Sequence, residues 1–384
     1  MKKNNNEKIW VLHICNALYP AGGVQSLLMN YYRNIDRNKI QFAFVVQRDI
    51  KFEFDKEIED LGGKIYYVPE MQKDFKGYMK ALSEIIKNDN NSYKIAHAHM
   101  NHRNGIALAI CKKNGVPIRI SHAHNLGEER NLLTNIRVET FKLIGKMVST
   151  DFVTCSIEAG KYLFGNRINN NKSIIMKNAI NVSKFAFNNE IRLKMRRELN
   201  IKSNEFVLGY VGNYSKQKNL IFALKVFSEL RKVNNNSKFL VIGTGEENEI
   251  EEVNKIVKLL EIEDNVMFLG TRLDVNYLMQ AMDALIIPSL FEGLGIVAIE
   301  AQAAGLEVYA SENVPDAINI TNLAKHIELI KGPKIWAKII NEFRGYAREK
   351  VYLEVINNDF DICENTKKIE EYYISRILEN TNNS

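Results

Sequence analysis

The chain has 384 residues, 46% hydrophobic and 26% charged, a composition that excludes a disordered or fibrous protein and accommodates two domains of ordinary size. Its net charge of +6, from 52 basic and 46 acidic residues, offers no basic stripe for nucleic acid and would suit an anionic small ligand. The four cysteines, Cys15, Cys111, Cys155 and Cys363, form no C-x-x-C pair, so reduced thiols of a cytoplasmic chain are expected, not a metal ribbon or redox motif.

The apolar run in "MKKNNNEKIWVLHIC" is only six residues long and broken by His13, too short for a signal core or a membrane span. It reads as the first buried strand. "QFAFVVQ", "KIYYV", "KIAHAH", "PIRISHAH", "DFVTCS" and "SIIM" follow as strands, separated by helical stretches such as "VQSLLMNYYRNI" and "GYMKALSEIIKN". Near-continuous apolar strands alternating with amphipathic helices predict a parallel sheet covered on both faces. The Asn-rich "MKNAINVSKFAFNNE" marks a joint, and the alternation restarts with "FVLGYVGN", "KFLVIGTG", "NVMFLG", "DALIIPS" and "LEVYAS". The predicted fold class is therefore α/β, with two doubly wound Rossmann-like domains over 1–178 and 179–360 facing a central cleft. A terminal helix over 361–384 is expected to pack back on the first domain. In such sheets ligands meet the segments that directly follow the strands, where loops and helix N-termini converge.

The stretch "PSLFEGLGIVAIEAQAAG" places Glu292 in a loop and Glu300 in the helix behind it, with Gly305 as the helix stop. Backbone N–H groups of Gly293, Leu294, Gly295 and Ile296 at that helix mouth suit phosphate or sugar oxygens, and a carboxylate suits hydroxyls. The loop "GNYSKQKN" also follows a strand and opens a helix, bringing Asn213 and Lys218. Gly22 and Gly23 follow the first strand, where glycine permits close backbone approach.

These motifs, in this order, resemble the retaining, two-domain (GT-B) glycosyltransferases of family four. The likeness runs from "YPAGGVQSLLMNYYRNI" through the linker "MKNAINVSKF" and "GYVGNYSKQKNL" to "MFLGTRLDVNYLMQAMDALIIPSLFEGLG", and Glu292 with Glu300 matches the E-x7-E motif. The chain is similar to bacterial enzymes of capsular and exopolysaccharide assembly. The resemblance implies that Glu300 binds ribose hydroxyls of a nucleotide, usually UDP, and that Glu292 lies beside the donor sugar. The amides of Gly293, Leu294, Gly295 and Ile296 would hold sugar or phosphate, and Lys218 would neutralise the diphosphate. Asn213 stands where the family usually has arginine, which removes a charge. The nucleotide-binding run carries Arg272, and the "VIGTGEEN" loop with Gly243 would lie near base and ribose. Gly22 and Gly23 would serve the diphosphate and acceptor, and a histidine after "VPIRIS" would face the donor, with His122 the first choice and His124 the second.

The implied function is transfer of a sugar from a nucleotide diphosphate to a glycan or lipid-linked glycan, with no cofactor and no metal. A non-hydrolysing UDP-sugar epimerase has the same architecture, and a non-catalytic partner subunit is the other alternative. His97, His99 and His102, with His122 and His124, include i,i+2 pairs that could chelate a metal, but a firm third or fourth ligand is not evident. "DFD" at Asp359–Asp361 reads as a turn or helix cap. The helix carrying Arg130, Arg137, Lys142 and Lys146 could reach an anionic membrane peripherally, or pack with a wet basic face.

Overall fold

A computed structural model describes residues 8–18, 23–48, 50–89, 93–124, 132–169, 173–342, 348 and 351–382. The chain divides into two units, Met1–Asn178 with Ile362–Ser384, and Ala179–Asp361.

The first unit is built on β1 (Ile9–Cys15), β2 (Ile40–Gln47), β3 (Lys64–Val68), β4 (Ile95–Ala98), β5 (Ile118–Ala123), β6 (Asp151–Thr154) and β7 (Ser173–Ile175). All pair in parallel, in the order β3-β2-β1-β4-β5-β6-β7. Every residue of β2 is buried, which is why its sequence shows no polar alternation. One face of the sheet carries Leu12, Ile14, Ala43, Val45, Ala96 and Ala98 against Tyr78 and Leu82 of the helix Phe75–Asn88. The other face carries His13, Phe42, Phe44 and His97 against Tyr32 and Tyr373. Tyr373 belongs to the terminal helix Ile362–Asn382. This helix is held by Arg376 Nε and Tyr372 Oη, which donate to Asp151 Oδ1 at 2.6 and 3.0 Å. The helix Leu132–Val148 turns Lys142 inward, 3.6 Å over the Tyr162 ring and paired with Glu139, so this lysine does not join the wet basic face predicted for it. Arg130 lies outside the described residues.

The second unit is built on β8 (Phe206–Val211), β9 (Ser237–Ile242), β10 (Val266–Phe268), β11 (Ala284–Ile287), β12 (Glu307–Ser311) and β13 (Ala324–Ile327). These too are all parallel, in the order β10-β9-β8-β11-β12-β13. Both faces are apolar. Val207, Leu240, Leu285 and Val308 pack on one side, and Leu208, Phe239, Ile286 and Tyr309 pack on the other. Asp283 locks the base of β11 by accepting from Val207 N at 2.8 Å while pairing with Arg192 at 2.6 Å and Arg196 at 3.4 Å. Asp359 takes a positive φ of 63° in the turn, and Asp361 bridges to Ile180, so "DFD" is a turn and a backbone bridge. Among the described residues, no helix is long and apolar enough to cross a membrane.

Candidate active site

In the second unit the strand order reverses direction between β8 and β11, and the loops after these two strands therefore lie side by side. They are knitted together by backbone and amide groups. Leu290 N donates to Gln217 O at 2.8 Å, Gln217 Nε2 to Phe291 O at 3.0 Å, and Asn219 Nδ2 to Pro288 O at 3.0 Å. This stitching brings Lys218 and Glu292, 74 residues apart, into an ion pair of 2.5 Å between Nζ and Oε1. Ser289, buried at the end of β11, donates its hydroxyl to the same Oε1 at 2.8 Å and fixes the carboxylate's orientation. The sequence signal for Ser289 is only its place in "IIPS", at the end of a strand. The lysine side chain keeps 26% of its exposure while the glutamate keeps 7%, so the pair has a dry acidic side and a wet basic side. An ammonium has three donors, and Glu292 Oε1 occupies one of them.

Behind this pair the helix Ile296–Ala303 starts from Gly295, whose φ of 76° turns the loop into the helix. An added Cβ at Gly295 would stand 3.2 Å from Val314 Cγ1. Leu294 is buried in the core and anchors the loop. The N–H groups of Gly293, Leu294, Gly295 and Ile296 meet no acceptor among the described residues. Four open donors at the positive end of a helix form an anion-binding arrangement. One turn into the same helix, the Glu300 carboxylate has no hydrogen-bond or ion-pair partner among the described residues, and burial pushes it up to about 8. The residue is half-buried, so its carboxyl stays reachable and could accept from hydroxyl groups.

The remaining candidates of this unit take varied positions. Asn213 is exposed, its Oδ1 accepts from Ser215 Oγ at 2.6 Å, and its backbone oxygen accepts from Tyr210 Oη at 2.7 Å. Arg272 is exposed and held by Asp274 through two bonds of 2.7 and 2.6 Å, so its charge is locally balanced. Gly243 uses its N–H on Gly270 O at 2.8 Å, and at its φ of 133° an added Cβ would lie 1.9 Å from Gly212 O. Glycine is required there because the β9 loop presses on the floor of the β8 loop. Gly243→Ala is expected to lower the unit's stability by about 1–3 kcal/mol, read as a shifted urea midpoint.

In the first unit Gly23 opens the helix Gly23–Asn34, with nothing near its missing Cβ, and Gly22 lies outside the described residues. His122 sits inside β5, 1% exposed, and His124 follows the strand's end, 5% exposed. Their rings stack at 3.9 Å, and His124 Nε2 is 2.9 Å from His99 Nδ1. Burial lowers both imidazoles, His124 to about 3, so they are neutral at pH 7. His13, read from sequence only as a strand residue, joins them through His99 at 3.0 Å. His102 lies in the short helical turn Asn101–Arg103, outside this buried group.

The chain carries, over residues 191–340, a match to the family model described as glycosyl transferases group 1, and its two parallel sheets are of the kind found in the GT-B fold. It is similar to enzymes of capsular and exopolysaccharide synthesis. EpsF of Bacillus subtilis, named as a glycosyltransferase, is 28% identical over 352 residues, covering 90% of each chain. The capsular polysaccharide biosynthesis glycosyltransferase CapH of Staphylococcus aureus is 24% identical, over 96% of this chain and 100% of its own. Among solved structures, Anabaena HepE in complex with UDP is alike in fold, with a TM-score of 0.75, 18% identity, and coverage of 96% of this chain and 100% of that one.

Proposed function

We propose that this enzyme transfers a sugar from a nucleotide diphosphate, in the first instance UDP, to a hydroxyl of a glycan or lipid-linked glycan in cell-surface polysaccharide synthesis, with retention of anomeric configuration. The observation that carries this reading is the 2.5 Å Lys218–Glu292 pair set against open N–H groups of Gly293–Ile296 and the unpartnered Glu300. One site then offers a cation and amides to a diphosphate, and carboxylates to sugar and ribose hydroxyls. The UDP held by HepE and the polysaccharide role in CapH's name support the donor and the pathway.

The chemistry follows from charge. When the bond between anomeric carbon and phosphate oxygen breaks, negative charge grows on the diphosphate and positive charge on the sugar ring. Lys218 and the helix-mouth amides take up the first. Glu292, held by Ser289, faces the second. No metal ion is needed for that step, because the lysine and the helix supply the positive field. The displacement is front-side: the leaving phosphate oxygen accepts the acceptor's proton, and Glu292 forms no covalent bond. Peripheral membrane contact is part of this proposal. It is supported by exposed Ile136, Leu143 and Met147, which recur along the helix Leu132–Val148 beside exposed Arg137.

Incubating the pure enzyme with a panel of nucleotide sugars tests the reading. UDP release from a UDP-sugar, with the product's anomeric configuration retained by NMR and no glycosyl-enzyme by mass spectrometry, is the expected result. Isomerised donor would identify an epimerase instead, and inertness toward the whole panel a partner subunit.

A further inference from the structure

We propose that the histidines where β1 meets β4 form a binding site for one divalent transition-metal ion of the zinc class, ligated by His13, His97 and His99. His13 and His97 are register partners across these two strands, and His99 shares a face with His97 two residues on. Their ligand nitrogens all lie within 4.8 Å of one another, with His13 Nδ1 and His99 Nε2 3.0 Å apart. Nitrogens on a tetrahedral zinc stand about 3.4 Å apart, given bonds of about 2.05 Å. Closing three rings around an ion therefore asks side-chain rotations to draw nitrogens now within 4.8 Å of one another together.

Two of the three rings are already aimed. His97 Nδ1 lies 2.7 Å from the Tyr373 hydroxyl, and His99 Nδ1 lies 2.9 Å from His124 Nε2. Each contact occupies one ring nitrogen and leaves the other for a ligand bond, as outer partners do around metal-bound imidazoles. Phe42 and Phe44 flank His13 at 4.1 and 5.5 Å between ring centroids, so the pocket has an apolar wall. His122 stacks at 5.2 Å on His97 and closes that side of the pocket.

A purely hydrogen-bonded histidine stack fits the same atoms less well. His13 Nε2, His97 Nε2, both nitrogens of His122 and His124 Nδ1 are buried with no partner among the described residues. A neutral imidazole carries one donor and one acceptor, and burying either unmet is unfavourable. Of these, His97 Nε2 is the ring nitrogen left over after the Tyr373 contact and a metal bond would meet it; imidazole nitrogens select zinc, copper, nickel or iron over calcium or magnesium. The ion would be a structural clamp between strands of the first unit, independent of the donor chemistry proposed above.

The test uses the untagged full chain, loaded with Zn²⁺ or Co²⁺ and passed through a desalting column. Metal analysis should return about one equivalent, Co²⁺ should develop visible d–d absorption, and Zn²⁺ should raise Tm reversibly with chelator. His97→Ala and His13→Gln should each lose the bound ion, while His326→Ala, in the other unit, should keep it. If the His97 variant fails to fold, the His13 variant and the wild-type titration still decide. The proposal is overturned if wild-type chain retains less than about 0.1 equivalent with no Tm response, or if both variants retain metal as wild type does.

Discussion

Lys218→Met should reduce sugar transfer by about 100–1,000-fold, the size of effect that follows loss of one preorganised charge-stabilising donor. The loss should fall on kcat more than on KM, because the diphosphate gains its extra charge as the bond breaks. The structure predicts a second, separable consequence. Glu292 is only 7% exposed and, among the described residues, keeps a single other donor, Ser289 Oγ at 2.8 Å, so removing the lysine strands a carboxylate in a dry place. A wholly buried pair broken this way loses about 3–5 kcal/mol. Here the lysine retains 26% of its exposure, so about 1–2 kcal/mol is expected, screened by solvent. Pairing the change with Glu292→Gln should restore the stability and leave transfer impaired. Stability measured by urea unfolding and turnover measured by UDP release therefore move apart in the double variant. If they recover together, the pair is a structural brace and Lys218 does not act on the diphosphate.

How much of this was legible depends on where the information sits. Strands β1 to β12 were readable because a parallel sheet covered on both faces demands apolar runs, and "IQFAFVVQ" is buried throughout. Strand β13, Ala324–Ile327, escaped because it is an edge strand with exposed Lys325 and a half-buried His326, and its sequence carries no run at all. Glu292, Glu300 and Lys218 were each marked by resemblance, yet their relation was not. The ion pair exists only because β11 crosses over to lie beside β8, a step no local pattern encodes. His13 is the same lesson in the first unit. It becomes a neighbour of His97 through the β1–β4 pairing, across 84 positions of sequence. Lys142 shows the opposite failure. Helical periodicity puts a lysine on the wet face by default, but its long stem lets the ammonium turn in over Tyr162.

Glu300→Gln should weaken UDP binding by about 10–100-fold, the range for losing hydrogen bonds to a charged group, and should also remove a pH dependence. Burial raises the wild-type carboxyl to about 8, so the ligand-free enzyme holds it largely protonated at neutral pH. Ribose hydroxyls donate best to the ionised form. Affinity for UDP should therefore rise as pH increases from 6 and level off just above 8, with nucleotide binding drawing the acid's pKa down and releasing a proton. Stability of the free enzyme runs the other way. The folded-state pKa lies above the unfolded one, so the contribution is fully present below the unfolded carboxyl's range and is lost as pH climbs through about 8. Calorimetric titration at several pH values, with 2′-deoxyuridine diphosphate beside UDP, separates the carboxylate from phosphate ionisation. The deoxy nucleotide should bind wild type and Glu300→Gln with a smaller difference and a flatter pH profile. Equal losses for both nucleotides in the variant would mean that Glu300 shapes the helix and does not touch the ribose.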